Sequence, residues 1–172
     1  MFKKILVPLD GSHLAEMAIP YALELASRFE AEITLLRVVQ PPQLIMADVS
    51  GGVYAELLVE MRKQAENEAR TYLKGLQGEL RQQGYTVHAH LAEGEPVAEV
   101  ILEVADGLDI DTIVMSTHGR SGLSRWVYGS VADKVLRQAR VPVVLIRAGT
   151  QAEEPHVEKS NVEEAKEKTA VS

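Results

Sequence analysis

Five short apolar runs recur along this chain, and a segment of helical periodicity separates each from the next. The runs cover residues 3–9, 31–39, 85–91, 110–117 and 141–146. Four are apolar without strict alternation, as in Ile5-Leu6-Val7, Ile113-Val114-Met115 and Val143-Val144-Leu145-Ile146, the pattern of strands buried on both faces. The third differs: Val87, Ala89 and Leu91 alternate with Thr86, His88 and His90, as at a sheet edge. Between the runs, Leu14, Ala18, Ala22, Leu25 and Phe29 fall on one helical face. So do Ala65, Ala69, Tyr72, Leu76 and Leu80, and later Val97, Ile101, Val104, Ala105 and Leu108. The resulting order, βαβαβαβαβ, leaves few choices. It predicts an α/β fold: one domain with a five-stranded parallel sheet, doubly wound, with helices on both faces and right-handed crossovers.

Punctuation residues set the expected boundaries. Asp10-Gly11-Ser12 reads as a turn, with Ser12 capping the helix that follows. Pro20 lies inside that helical pattern, so the helix should kink there or start late. Residues 40–54 contain Pro41-Pro42 and Gly51-Gly52 and read as a loop, although Leu44, Ile45 and Met46 are apolar for one. The second helix is expected over 56–83, weakened by Gly75 and Gly78 and stopped by Gly84. Pro96 is expected at the first position of the third helix. The last helix is expected over 124–139, with Gly129-Ser130 inside it. The domain should occupy residues 1–148. Residues 149–172 carry six Glu and three Lys with few large apolar groups, and read as an acidic, disordered tail.

Composition removes several functions. There is no cysteine, which excludes disulfides, thiolate metal sites and a thiol nucleophile. A net charge of -7 opposes general binding to nucleic acid, so nucleic acid is not expected as a partner. No apolar stretch approaches the ~18 residues of a membrane span, so no membrane association is expected. The apolar run after Lys3-Lys4 ends at Asp10, too soon for a signal-peptide core, and the expected location is cytoplasmic.

Doubly wound sheets bind ligands outside the carboxyl ends of their strands, where the strand order reverses. The loops that should matter are therefore 10–12 and 116–130. Gly119 and Gly122 let backbone amides come close to a ligand, and a helix start behind them suits an anion such as a phosphate. Equally, these glycines could simply shape a tight turn. No Gly-Lys pair supplies a Walker loop, and the first βα turn has one glycine where a dinucleotide fingerprint has three. Asp10 has no adjacent carboxylate with which to form an acid/base pair. His88 and His90 share a strand face without a further ligand at suitable spacing, so no metal site is expected.

The segment Met115-Ser116-Thr117-His118-Gly119-Arg120-Ser121-Gly122-Leu123-Ser124-Arg125-Trp126-Val127-Tyr128-Gly129-Ser130 resembles the signature of the universal stress protein family. So do Ile5-Leu6-Val7-Pro8-Leu9-Asp10-Gly11-Ser12 and Val141-Pro142-Val143-Val144-Leu145-Ile146, and the likeness spans residues 1–147 in order. The resemblance implies strand order 3-2-1-4-5 and, in the family's nucleotide-binding branch, a site for ATP or AMP. It implies that Pro8, Leu9 and Asp10 line the base and ribose side and that Val38 packs on adenine. Gly119, Arg120, Gly129, Ser130 and Val131 would then surround the phosphates, with Met115, Ser116 and His118 also in the site, although His118 could equally serve local hydrogen bonds in its loop. The branch has a glycine where this chain has Ser116, which adds a Cβ beside the ligand path. A divalent metal could accompany the nucleotide, though no residue pattern calls for one. The resemblance also implies a homodimer through residues 141–146, and an apolar edge strand is in any case a ready pairing surface. Three functions follow in order of preference. The first is an ATP-binding stress-response regulatory protein. The second is a dimeric interaction module that binds no nucleotide, and the third a slow ATP hydrolase with Asp10 as its one well-placed carboxylate.

Overall fold

The computed structural model describes residues 2–42, 51–117 and 129–147, with the side chains of its longest helix described from Glu56 onward. Strand β1 (Lys4–Pro8) leads through a turn into two helices, α1 (His13–Glu16) and α2 (Ile19–Phe29). The break between them is the late start that Pro20 requires: proline occupies the first turn of α2, where its missing N–H has no partner to lose. Ser12 caps α1, its hydroxyl accepting from the Ala15 amide at 3.2 Å. Then follow β2 (Glu32–Val39), α3 (Gly51–Gln82), β3 (Val87–Glu93), α4 (Val97–Gly107), β4 (Thr112–Ser116), α5 (Ser130–Gln138) and β5 (Val143–Ile146).

The five strands form one parallel sheet in the order β3-β2-β1-β4-β5. The chain winds outward from β1 to β3, then returns to place β4 on the other side of β1. The strand order therefore reverses between β1 and β4. Central strands alternate between two cores. Ile5, Val7, Ile33, Leu35 and Val114 face α2 and α3, where they meet Ala22, Ala26, Leu73 and Leu80. Leu6, Leu36, Ile113 and Met115 face α4 and α5, where they meet Ala98, Ile101, Ala105, Ala132 and Val135. Burial on both faces explains why these strands read as unbroken apolar runs. The edge expected for the third strand is present: β3 pairs only with β2, and His88 is exposed.

Three boundaries correct the sequence reading. Helix α3 begins at Gly51, not Glu56, so Gly51-Gly52 is helix and not loop. Two glycines cost about 1 kcal/mol each, but once a helix is nucleated each added residue gains a backbone bond, and a long helix extends through weak formers. Pro96 is the N-cap of α4, in an extended conformation, and Val97 is the first helical residue. Gly129 is not inside the last helix. It is extended (φ -52°, ψ 145°) and caps α5, which starts at Ser130. The expected loop at 43–50, the residues 118–128 and the tail from 148 onward lie outside the described residues.

Candidate functional site

A cleft of about 510 Å³ opens at the carboxyl edge of the sheet, between the ends of β1, β2 and β4. Its size falls within the ~300–1,000 Å³ usual for small-molecule sites. Its position follows from topology: it lies where the strand order reverses, outside the carboxyl ends of β1 and β4.

One wall comes from β1 and β2. Pro8 and Leu9 end β1, with the Leu9 amide bonded to the Leu36 carbonyl at 2.8 Å. Asp10 and Gly11 follow in a tight turn, and Gly11 has φ +78°, a conformation that favours glycine. The Asp10 carboxylate accepts the Ser12 amide at 2.8 Å through Oδ1. Its other oxygen makes no hydrogen bond among the described residues, and the residue is exposed. Val38, Leu36, Ile101 and Met115 give the cleft an apolar floor. At the rim, the Gln40 amide donates to Glu95 Oε1 at 2.8 Å and ties the end of β2 to the loop before α4.

The opposite wall comes from β4 and α5. Thr117 is buried, and its amide donates to the Ile146 carbonyl at 2.8 Å. Its own carbonyl accepts the Gly129 amide at 3.2 Å, so the residues flanking positions 118–128 meet. Gly129 brings no side chain to cap α5. The first-turn amides of α5, those of Ser130, Val131 and Ala132, have no intrahelical acceptor, as at any helix start. All three residues line the cleft. Among the described residues these three donors have no acceptor, and amides at the positive end of a helix dipole suit a phosphate or carboxylate.

Nine of the residues expected from sequence are brought together here: Pro8, Leu9, Asp10, Val38, Met115, Ser116, Gly129, Ser130 and Val131. His118, Gly119 and Arg120 lie outside the described residues. Ser116 lines the cleft, half-buried, at the end of β4. Among the described residues no group of three or more His, Asp or Glu side chains could hold a metal ion.

Sequence reading missed Arg37, Gln40, Thr117, Val97 and Ile101. The signal for Arg37 was available: it interrupts the inward positions Ile33, Leu35 and Val39 of a buried strand. Val97 and Ile101 had no signal, because α4 reaches the cleft only through the crossover. Behind the first wall, the Tyr72 hydroxyl of α3 donates to Glu16 Oε1 of α1 at 2.7 Å. Burial, then the hydrogen bond and charge of Glu16, push the Tyr72 hydroxyl well above its ordinary range, against a smaller pull from Arg37.

A parallel five-stranded sheet in the order 3-2-1-4-5, covered by helices on both faces and with a cleft at its reversal point, defines a doubly wound α/β domain. The sequence model of the universal stress protein family matches residues 1–147, and the chain belongs to that family. Among its relatives is universal stress protein MJ0531 of Methanocaldococcus jannaschii, 33% identical over 147 residues, which are 86% of this chain and 83% of the relative. Among solved structures, that of protein MJ0577 from the same organism superposes with a TM-score of 0.74 at 26% identity, covering 88% of this chain and 99% of the other. A universal stress protein from Archaeoglobus fulgidus, solved in complex with dAMP, superposes with a TM-score of 0.61 at 23% identity. It covers 84% of this chain and 97% of the other. At that identity the likeness carries the fold.

Proposed function

We propose that this chain binds an adenine nucleotide, ATP or AMP, in the cleft at the β1/β4 reversal and serves as a nucleotide-dependent regulatory module of the universal stress protein family. The observation that carries the reading is the pairing of two opposite chemistries across one apolar floor. The Asp10 turn offers an acceptor for ribose or base donors. The uncapped start of α5, with Gly129 and Ser130, offers amides for phosphate. Val38, Met115 and Pro8 give a flat apolar surface against which a purine can lie. Ser116 narrows the path by one hydroxymethyl group, whose hydroxyl can itself bond to the ligand. His118, Gly119 and Arg120 would complete the phosphate side. The wider family, in which one protein of this fold is solved with dAMP, is consistent with such a ligand.

Titration calorimetry on the full chain with ATP and AMP tests this. Sub-millimolar binding of either is expected, and no heat from any adenine nucleotide at millimolar concentration would remove the reading. The same reading includes a homodimer through β5, an edge strand whose Val143, Val144 and Leu145 are only half-covered. Light scattering after size exclusion should give twice the chain mass, and a monomer at tens of micromolar would refute it.

A further inference from the structure

The inward face of β2 is interrupted by a charge where the strand pattern calls for an apolar group. Arg37 follows Ile33 and Leu35 on the face toward α2 and α3, is half-buried, and has no ion-pair partner among the described residues. Its guanidinium is used instead on the first turn. Nη1 donates to the Leu9 carbonyl at 3.4 Å. A Cβ built on Gly11 would lie 3.4 Å from Nη1 and 3.7 Å from both Cζ and Nη2. These distances put the Cβ direction of Gly11 out of the guanidinium plane, above its Nη edge. One planar group therefore bonds the residue before Asp10 and occupies the space beside the residue after it, where a side chain would otherwise project.

We propose that Arg37 is a positioning residue that clamps the Leu9–Gly11 turn and so fixes where the Asp10 carboxylate points into the cleft. The inference rests on the nucleotide reading only for its consequence in binding; the clamp itself belongs to the ligand-free protein. Arginine suits the task because its fork is planar and rigid: it bonds a carbonyl while filling the space beside a glycine. Methionine fills similar space with neither donor nor plane. Lysine keeps the charge but concentrates it at one point.

The test compares the parent chain with Arg37→Met and Arg37→Lys. The Ser12 amide, bonded to Asp10 Oδ1 at 2.8 Å, reports the turn without any nucleotide. In Arg37→Met its exchange with water, followed by NMR in the ligand-free protein, should quicken about tenfold, the loss expected when a hydrogen bond to a charged group goes. ATP affinity should fall by about the same factor, and Arg37→Lys should lie between. If Arg37→Met does not fold, the lysine variant carries both measurements. An unchanged Ser12 amide in the folded variant overturns the clamp whatever happens to binding. A quickened amide with unchanged ATP affinity overturns its role in placing Asp10 for the ligand. A quickened amide in a parent that binds no adenine nucleotide leaves the clamp standing and removes the nucleotide reading alone.

Discussion

Alanine at two glycines should move stability in opposite directions, and the structure sets the size of each effect. Gly11 adopts φ +78° at the mouth of the cleft. An alanine there meets the left-handed penalty of about 1–2 kcal/mol. Stiffening of the unfolded chain offsets about 0.4–1 kcal/mol of it. The new methyl would sit 3.4 Å from Arg37 Nη1, a contact at the movable end of a long side chain, and adds little. The net loss is about 1 kcal/mol. Gly75 lies inside α3, exposed, with nothing within 4 Å of an added Cβ. There alanine restores ordinary helix propensity, a gain of about 0.5–1 kcal/mol. The two variants should then differ by about 1.5–2 kcal/mol. In urea melts with a slope of about 2 kcal/mol/M, that separates their midpoints by roughly 0.75–1 M, with the parent between them. A Gly11→Ala variant as stable as the parent, or two shifts of the same sign, would refute the reasoning.

Three further outcomes follow from the same geometry. Leu73 is 1% exposed at the centre of the α3 face, so Leu73→Ala should cost about 2–5 kcal/mol in chemical denaturation, whereas loss of α3 packing elsewhere would show as a smaller value. Tyr72, whose hydroxyl is held protonated in the folded chain, contributes stability that is complete below its ordinary value of 10.0. That part is lost as pH rises further, because the unfolded chain ionises first. Melts between pH 9 and 11 should therefore fall less steeply for Tyr72→Phe than for the parent, and equal slopes would contradict the assignment. Asp10→Asn keeps the Oδ1 acceptor for the Ser12 amide. It should leave stability within about 0.5 kcal/mol while weakening ATP binding about fivefold, since charge-assisted bonds are about twice as strong as neutral ones. Asp10→Ala should lose both, and equal binding by Asp10→Asn and the parent would reduce the carboxylate to a turn former.

The sequence by itself determined the class of fold, because a strand buried on both faces leaves an unmistakable run such as Ile5-Leu6-Val7, and alternating such runs with helical stripes admits one layered arrangement. It also located the two strand ends that flank the cleft, those of β1 and β4, since a parallel sheet places ligands at strand ends regardless of detail. It misjudged Gly51-Gly52 and Gly129 because glycine announces conformational freedom without saying whether the surroundings use it. Cooperative extension of α3 absorbed the first pair, while the chain's return from β4 made Gly129 a cap. Only the tertiary structure decided the rest. Arg37 reads as an anomaly in an apolar strand until β1 and β2 are paired in register, Pro8 against Leu36, and the guanidinium is found bonded to the Leu9 carbonyl beside Gly11. Val97 and Ile101 become part of the cleft floor only when α4 crosses to the far face of the sheet. Local pattern encodes which surfaces must be buried, but which side chains share a cavity depends on how distant segments meet.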